Sequence, residues 1–209
     1  MKQFFLLSFL FLASCASVAQ ATSPPEVVTV YSTSAAQPWM TELYSCAHDR
    51  GIILNVTAQE PQIYLRIGEP QTLLSPAYQI DQEEVLVVTH RESPVQNLSL
   101  EETQALFAGQ GDPSVQVWVY ASDEDLQIVF NQLVMKGRSV SSFARLATSP
   151  QQMSDALNAE SNSVGILPRH WKVGNSREVF SAGVIPVLAI TKQEPHGMTK
   201  ELISCLQNN

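Results

Sequence analysis

One stretch, Glu83 to Ala121, narrows the possible folds of this chain more than any other. It contains four consecutive apolar residues, Val85 to Val88, the pattern of a strand covered on both faces. A turn-rich segment follows, and then a helix with a defined start. Ser99 and Glu102 have the S-x-x-E spacing of a capping box, Ala105, Leu106 and Phe107 supply its apolar face, and Gly109 stops it. Val115 to Ala121 then reads as the next strand. A buried strand, a capped helix and a second strand in close succession predict an α/β fold.

The flanking sequence continues the alternation. Val27 to Tyr31 is a β-branched first strand, followed by Ser32-Thr33-Ser34 and a helix opened by Pro38 that carries Trp39, Met40, Leu43, Tyr44 and Ala47. Ile52 to Ala58 and Ile63 to Ile67 are further strands, Gly68-Glu69-Pro70 is a turn, and residues 71–82 read as a loop before the strand Glu83 to His90. Beyond Ala121, Ser122 is the expected cap of an acidic helix start, and Leu126, Val129, Phe130, Leu133 and Val134 form one apolar face ending at Gly137. Phe143 to Ala147 predicts a strand, and Ser149-Pro150-Gln151-Gln152 a second capping box. Val164 to Pro168, Val179-Phe180 and Val184 to Thr191 predict strands, and residues 197–207 a terminal helix.

The order strand, then Asn-Leu-Ser-x-Glu-x-x-x-x-Leu-Phe-x-Gly over Asn97 to Gly109, then strand resembles the crossover segment of phosphate-binding-type (type II) periplasmic solute-binding proteins. Val164-Gly165-Ile166-Leu167-Pro168 is similar to that family's Gly-x-Ile-Gly-Tyr-type strand. The resemblance implies two α/β lobes with mostly parallel sheets flanked by helices. Residues 22–88 would begin the first lobe, 89–170 would form the second, and 171–209 would return to the first. It also implies capture of a small solute, phosphate or another oxyanion, between the lobes, by a monomer that performs no chemistry and needs no cofactor, for delivery to an ABC permease and its ATPase. The chain is shorter than a typical member, so helices that decorate the lobes must be missing.

Within that frame the best ligand position is Ser32-Thr33-Ser34, where three hydroxyls precede a helix with unsatisfied N–H groups. Relatives carry a Ser/Thr-rich anion-contacting loop there; capping by Ser34 alone is the plain alternative. The matching place on the second lobe is Ala121-Ser122-Asp123, which lacks the Arg and Ser-Gly-Thr of phosphate-binding relatives. Ser122 is either a ligand contact or a helix cap, and Asp123 and Glu124 would repel an anion, so a neutral, zwitterionic or cationic solute fits this half as well. Arg66, inside an apolar strand, either meets Glu69 or another carboxylate or points into the cleft, since Arg is seldom buried unpaired. Glu69 occupies the place of a cleft-facing polar side chain in relatives. Arg91 and Arg169 fall near the expected hinge or on the surface. The four His residues have no metal-ligand spacing, and no P-loop or dinucleotide motif is present, so the enzymatic reading is weak.

Composition excludes other partners. A net charge of -8 opposes binding to nucleic acid or docking on anionic lipid by charge. Residues 1–21 read as an export signal: Lys2 precedes the apolar run Phe4 to Leu12. Leu12-Ala13-Ser14-Cys15 resembles a lipobox, which would acylate Cys15 and tether the protein to a membrane; Ala19-Gln20-Ala21 would suit ordinary signal cleavage. Cys46 and Cys205 remain, on the first and last predicted helices. Both helices belong to the first lobe of the suspected fold, so the two form either a disulfide or a pair of buried thiols. The rival to solute capture is an exported, non-catalytic sensory or protein-interaction domain on the same fold with a degenerate cleft.

Overall fold

Eight strands form one continuous mixed sheet in the computed structural model, which describes residues 26–208. The export signal, Cys15 and the linker to residue 25 lie outside the described residues. The strands are β1 (Val27–Ser32), β2 (Ile53–Val56), β3 (Ile63–Ile67), β4 (Ala77–His90), β5 (Gln116–Tyr120), β6 (Arg145–Ala147), β7 (Ser163–Pro168) and β8 (Ser176–Ile190). Their order across the sheet is β2-β1-β3-β8-β4-β7-β5-β6. The β2-β1-β3 side is joined in parallel, as are β7-β5-β6 on the other side. The two long strands β4 and β8 run antiparallel through the middle and belong to both halves.

The central pair differs from the sequence expectation. Residues 71–82 read as loop, yet β4 begins at Ala77 and pairs with Ile190. Val179-Phe180 and Val184 to Thr191 read as two strands, yet they are one. Gly183 and Pro186 look like breaks in sequence. In the sheet Gly183 sits at φ 127 beside a register shift, so the strand bends without ending. Pro186 lacks an N–H, and its carbonyl accepts from Gly68 N at 2.7 Å.

The helices are α1 (Pro38–Arg50), α2 (Leu100–Phe107), α3 (Asp125–Phe130), α4 (Pro150–Ala159) and α5 (Gly197–Leu206). At α2 both arms of the capping box form: Ser99 N donates to Glu102 Oε2 at 2.8 Å and Glu102 N to Ser99 Oγ at 3.2 Å. At α4 only one arm forms on Ser149; Gln152 Oε1 accepts instead from Thr148 N at 2.6 Å. The helix expected to be capped by Ser122 is capped two residues later, at Glu124, and its last turn, Asn131–Met135, widens to a π-helix. Cys46 of α1 is bonded to Cys205 of α5.

One core runs through both halves. Leu43 of α1 and Leu202 of α5 belong to it beside β1 and β3, and Phe130, Met153 and Leu157 beside the other half. Val85 to Val88 sit between them, fully buried, as their unbroken apolar run requires.

Candidate functional site between the half-sheets

The parallel strands β1 and β3 end side by side, so their last carbonyls and N–H groups, and the start of α1, face the other half of the molecule. Thr33 N donates to Leu65 O at 3.0 Å, which locks the hydroxyl loop onto β3. Thr33 Oγ1 accepts from Ala36 N at 3.3 Å and donates to Asp125 Oδ2 at 2.7 Å. The same carboxylate oxygen accepts from Ile67 N at 3.0 Å, and Oδ1 accepts from Leu126 N at 2.8 Å. Asp125, the first residue of α3, is 3 % exposed. A buried carboxylate is tolerated only when hydrogen bonds replace its water, and here three donors do so, two of them from the opposite half. The side chain therefore takes up the free donors at these strand ends.

The rest of the hydroxyl loop is covered from the same side. Trp171 Nε1 donates to Ala35 O at 3.2 Å, and the His170 ring lies 4.8 Å from that of Trp39. His170 Nδ1 is 2.7 Å from Glu83, which is 2 % exposed and also accepts from Arg169 N at 3.1 Å. Beneath the loop, a β-carbon on Gly68 would overlap Val129 of α3, so the halves interlock where β3 ends. Burial raises the Glu124 pKa above its ordinary value, Asp125 and Asp123 add to that, and a hydrogen bond with Ser34 opposes it. Burial likewise raises the Tyr64 pKa, with Arg66 opposing.

The residues singled out from sequence fare unequally. Ser32 and Thr33 are buried at the strand ends. Ser32 Oγ turns back to Thr33 O at 3.0 Å, while Thr33 makes the contact across the halves. Ser34 reaches Glu124 and does not cap α1, whose N-cap residue is Gln37, without a side-chain bond. Ser122 is exposed, and Glu124 stands in the capping position expected of it. Glu69 is exposed and makes no ion pair with Arg66. Arg66 is 8 % exposed, its Nε donates weakly to Ile67 O at 3.5 Å, and its Nη2 has no partner among the described residues. The decisive residue, Asp125, was not singled out. Its signal was the run Asp123-Glu124-Asp125 directly before the apolar periodicity, which places one carboxylate at the true helix start.

Neither a family model nor a curated protein matches the chain. Solved structures do. A Clostridium perfringens protein described as a phosphate ABC transporter substrate-binding protein, with bound phosphate, superposes with a TM-score of 0.76 at 12 % identity, covering 87 % of this chain and 93 % of that one. The regulatory domain of Synechocystis CcmR in complex with 2-PG gives 0.69 at 13 % identity, covering 88 % and 96 %. The fold is that of the type II periplasmic binding proteins. A Vibrio cholerae ABC-type phosphate transport receptor matches at 0.67 and 14 % identity, covering 86 % and 93 %. At these identities the likeness concerns architecture. It spans transport receptors and regulatory domains alike, and none of these neighbours is described as an enzyme.

Proposed function

We propose that the chain is an exported, non-catalytic recognition domain on the binding-protein fold, whose interlobe anion position is held by its own carboxylate. The observation that carries this reading is the set of three bonds to Asp125, two of which join the halves. A free oxyanion would have to displace a buried carboxylate from bonds worth roughly 1.5–3 kcal/mol each, and do so beside Glu124 and Asp123. In this reading residues 22–88 and 171–209 form the first lobe and 89–170 the second, with β4 and β8 crossing between them. The sequence before residue 22 directs export, and Cys15 supplies a lipid anchor if the lipobox is used. Recognition would then fall to the outer surface of a monomer held closed.

A second reading is capture of a small anion for an ABC permease. The hydroxyl of Thr33 and the Ile67 N–H favour it, because a cradle that binds a carboxylate can bind an oxyanion once Asp125 withdraws. A thermal-shift screen of the mature chain against phosphate, sulfate, molybdate and amino acids separates the two. Expected at about 10 mM is no wild-type shift that depends on Ser32 and Thr33, and an added shift with an oxyanion in Asp125→Ala, whose cradle is empty; a ligand at a hundred times its Kd stabilises by about 2.7 kcal/mol. A wild-type shift that Ser32→Ala/Thr33→Ala abolishes would replace the closed-domain reading with capture.

A further inference from the structure

A second polar cavity, of about 450 Å³, opens where β8 begins. Its strand residues, Ser176 to Phe180, lie at the opposite end of β8 from Pro186. Three cations, Arg91, Lys172 and Arg177, line it, with Asn97 and Ser176 as neutral polar groups and Glu178 as the one acid. The chain has 12 Lys and Arg against 20 Asp and Glu, so partners for these cations are plentiful. None of the three makes an ion pair among the described residues, which they share with Arg50, Arg66, Lys136, Arg138 and Lys200; what sets them apart is that they line one concavity. Glu178, though it lines the cavity, pairs with Arg169 Nη2 at 3.2 Å.

The walls are held in place. Arg177 Nη2 donates to Ser93 O at 3.0 Å and Val95 O at 2.6 Å, pinning the segment that leaves β4, while its buried Nε has no partner. Arg91 N donates to Asn175 O at 2.7 Å. Three cations lining one concavity give it a locally positive field on an acidic chain. A field of that sign favours an anion from outside. We propose that this cavity binds a small, multiply charged anion bearing phosphate or carboxylate groups. The volume lies within the range of small-molecule sites, and the Arg guanidinium matches planar oxyanion edges. The site is independent of the cradle and of either reading of it.

The test is calorimetric titration of the mature chain with pyrophosphate and with citrate, in about 20 mM and about 200 mM salt. Expected is saturable binding of at least one probe that weakens with salt. Arg91→Ala/Lys172→Ala should weaken it at least about tenfold, or 1.4 kcal/mol. Arg177 is spared because it pins the Ser93–Val95 segment, and a circular dichroism melt checks that the double variant is folded. The proposal is overturned if neither probe binds saturably or if the double variant loses less than tenfold.

Discussion

A carboxylate taken out of water must be given donors, and the place where Asp125 finds them is the end of a neighbouring half-sheet. Glu124, next to it, is not so well served. Its folded pKa is raised by burial and by two neighbouring carboxylates, with only the Ser34 bond opposing. Below the unfolded value of 4.5 the group is protonated in both states; as pH rises through the raised folded pKa, the native state must take on a charge its surroundings disfavour. Stability is therefore lost on going up in pH through that window. Glu124→Gln keeps a hydrogen-bonding group for Ser34 and removes the charge. Its melting temperature should exceed that of the wild type at pH 7, with the difference vanishing near pH 4. An equal difference at both pH values would mean the effect is packing and not charge. In the sequence the three acids from Asp123 to Asp125 look alike. Only the exact start of α3, set by how it docks on β3, decides that Asp125 is buried and Asp123 exposed, so the central residue of the site was not legible one position at a time.

Elements meet most tightly where β3 ends. Gly68 has φ 67 and donates to Pro186 O, and its missing β-carbon leaves room for Val129 of α3, which is 2 % exposed. Gly68→Ala should cost roughly 1–3 kcal/mol, partly from the left-handed backbone and partly from overlap with Val129. Val129→Ala alone opens a cavity and also destabilises. In the double variant the overlap is relieved, so urea melts of the four proteins should give a coupling of about 0.5–3 kcal/mol in favour of the pair. Strict additivity would show that the two halves do not press together at this point. Elements with strong local signals were legible: the Ser99 box, the β-branched first strand and the helix opened by Pro38 all form. The central antiparallel pair was not. The first half of β4 alternates polar and apolar residues weakly, and β8 carries Gly183 and Pro186, so its continuity comes from pairing with β4 and not from local preference.

At the scale of the whole molecule, the chain leaves the β1–β3 half, builds the other, and comes back along β8 to place α5 against α1. The return is fixed by packing and by the bond between Cys46 and Cys205, which are 159 residues apart. That loop encloses all of the second half, so reducing it should release an unusually large conformational freedom in the unfolded chain. In the chain-entropy account this amounts to at most about 5 kcal/mol, and commonly 2–5 kcal/mol is found for native bridges. Cys46→Ser/Cys205→Ser should lower the guanidinium midpoint accordingly. The loss should also be uneven in space. Of α5, Leu202, Ile203 and Leu206 are buried and Met198 packs against the core, while its Glu201 and Ser204 are exposed, so four side chains and the disulfide hold a ten-residue helix. Without the bond, amide exchange in α5 should approach the rate of a frayed terminus, while amides of β4 and β7, paired deep in the sheet, slow or quicken only with the global change. If α5 keeps the protection of the central strands in the double Ser variant, packing alone anchors the return of the chain. The disulfide would then add only to the stability of the first half, in which both α1 and α5 lie.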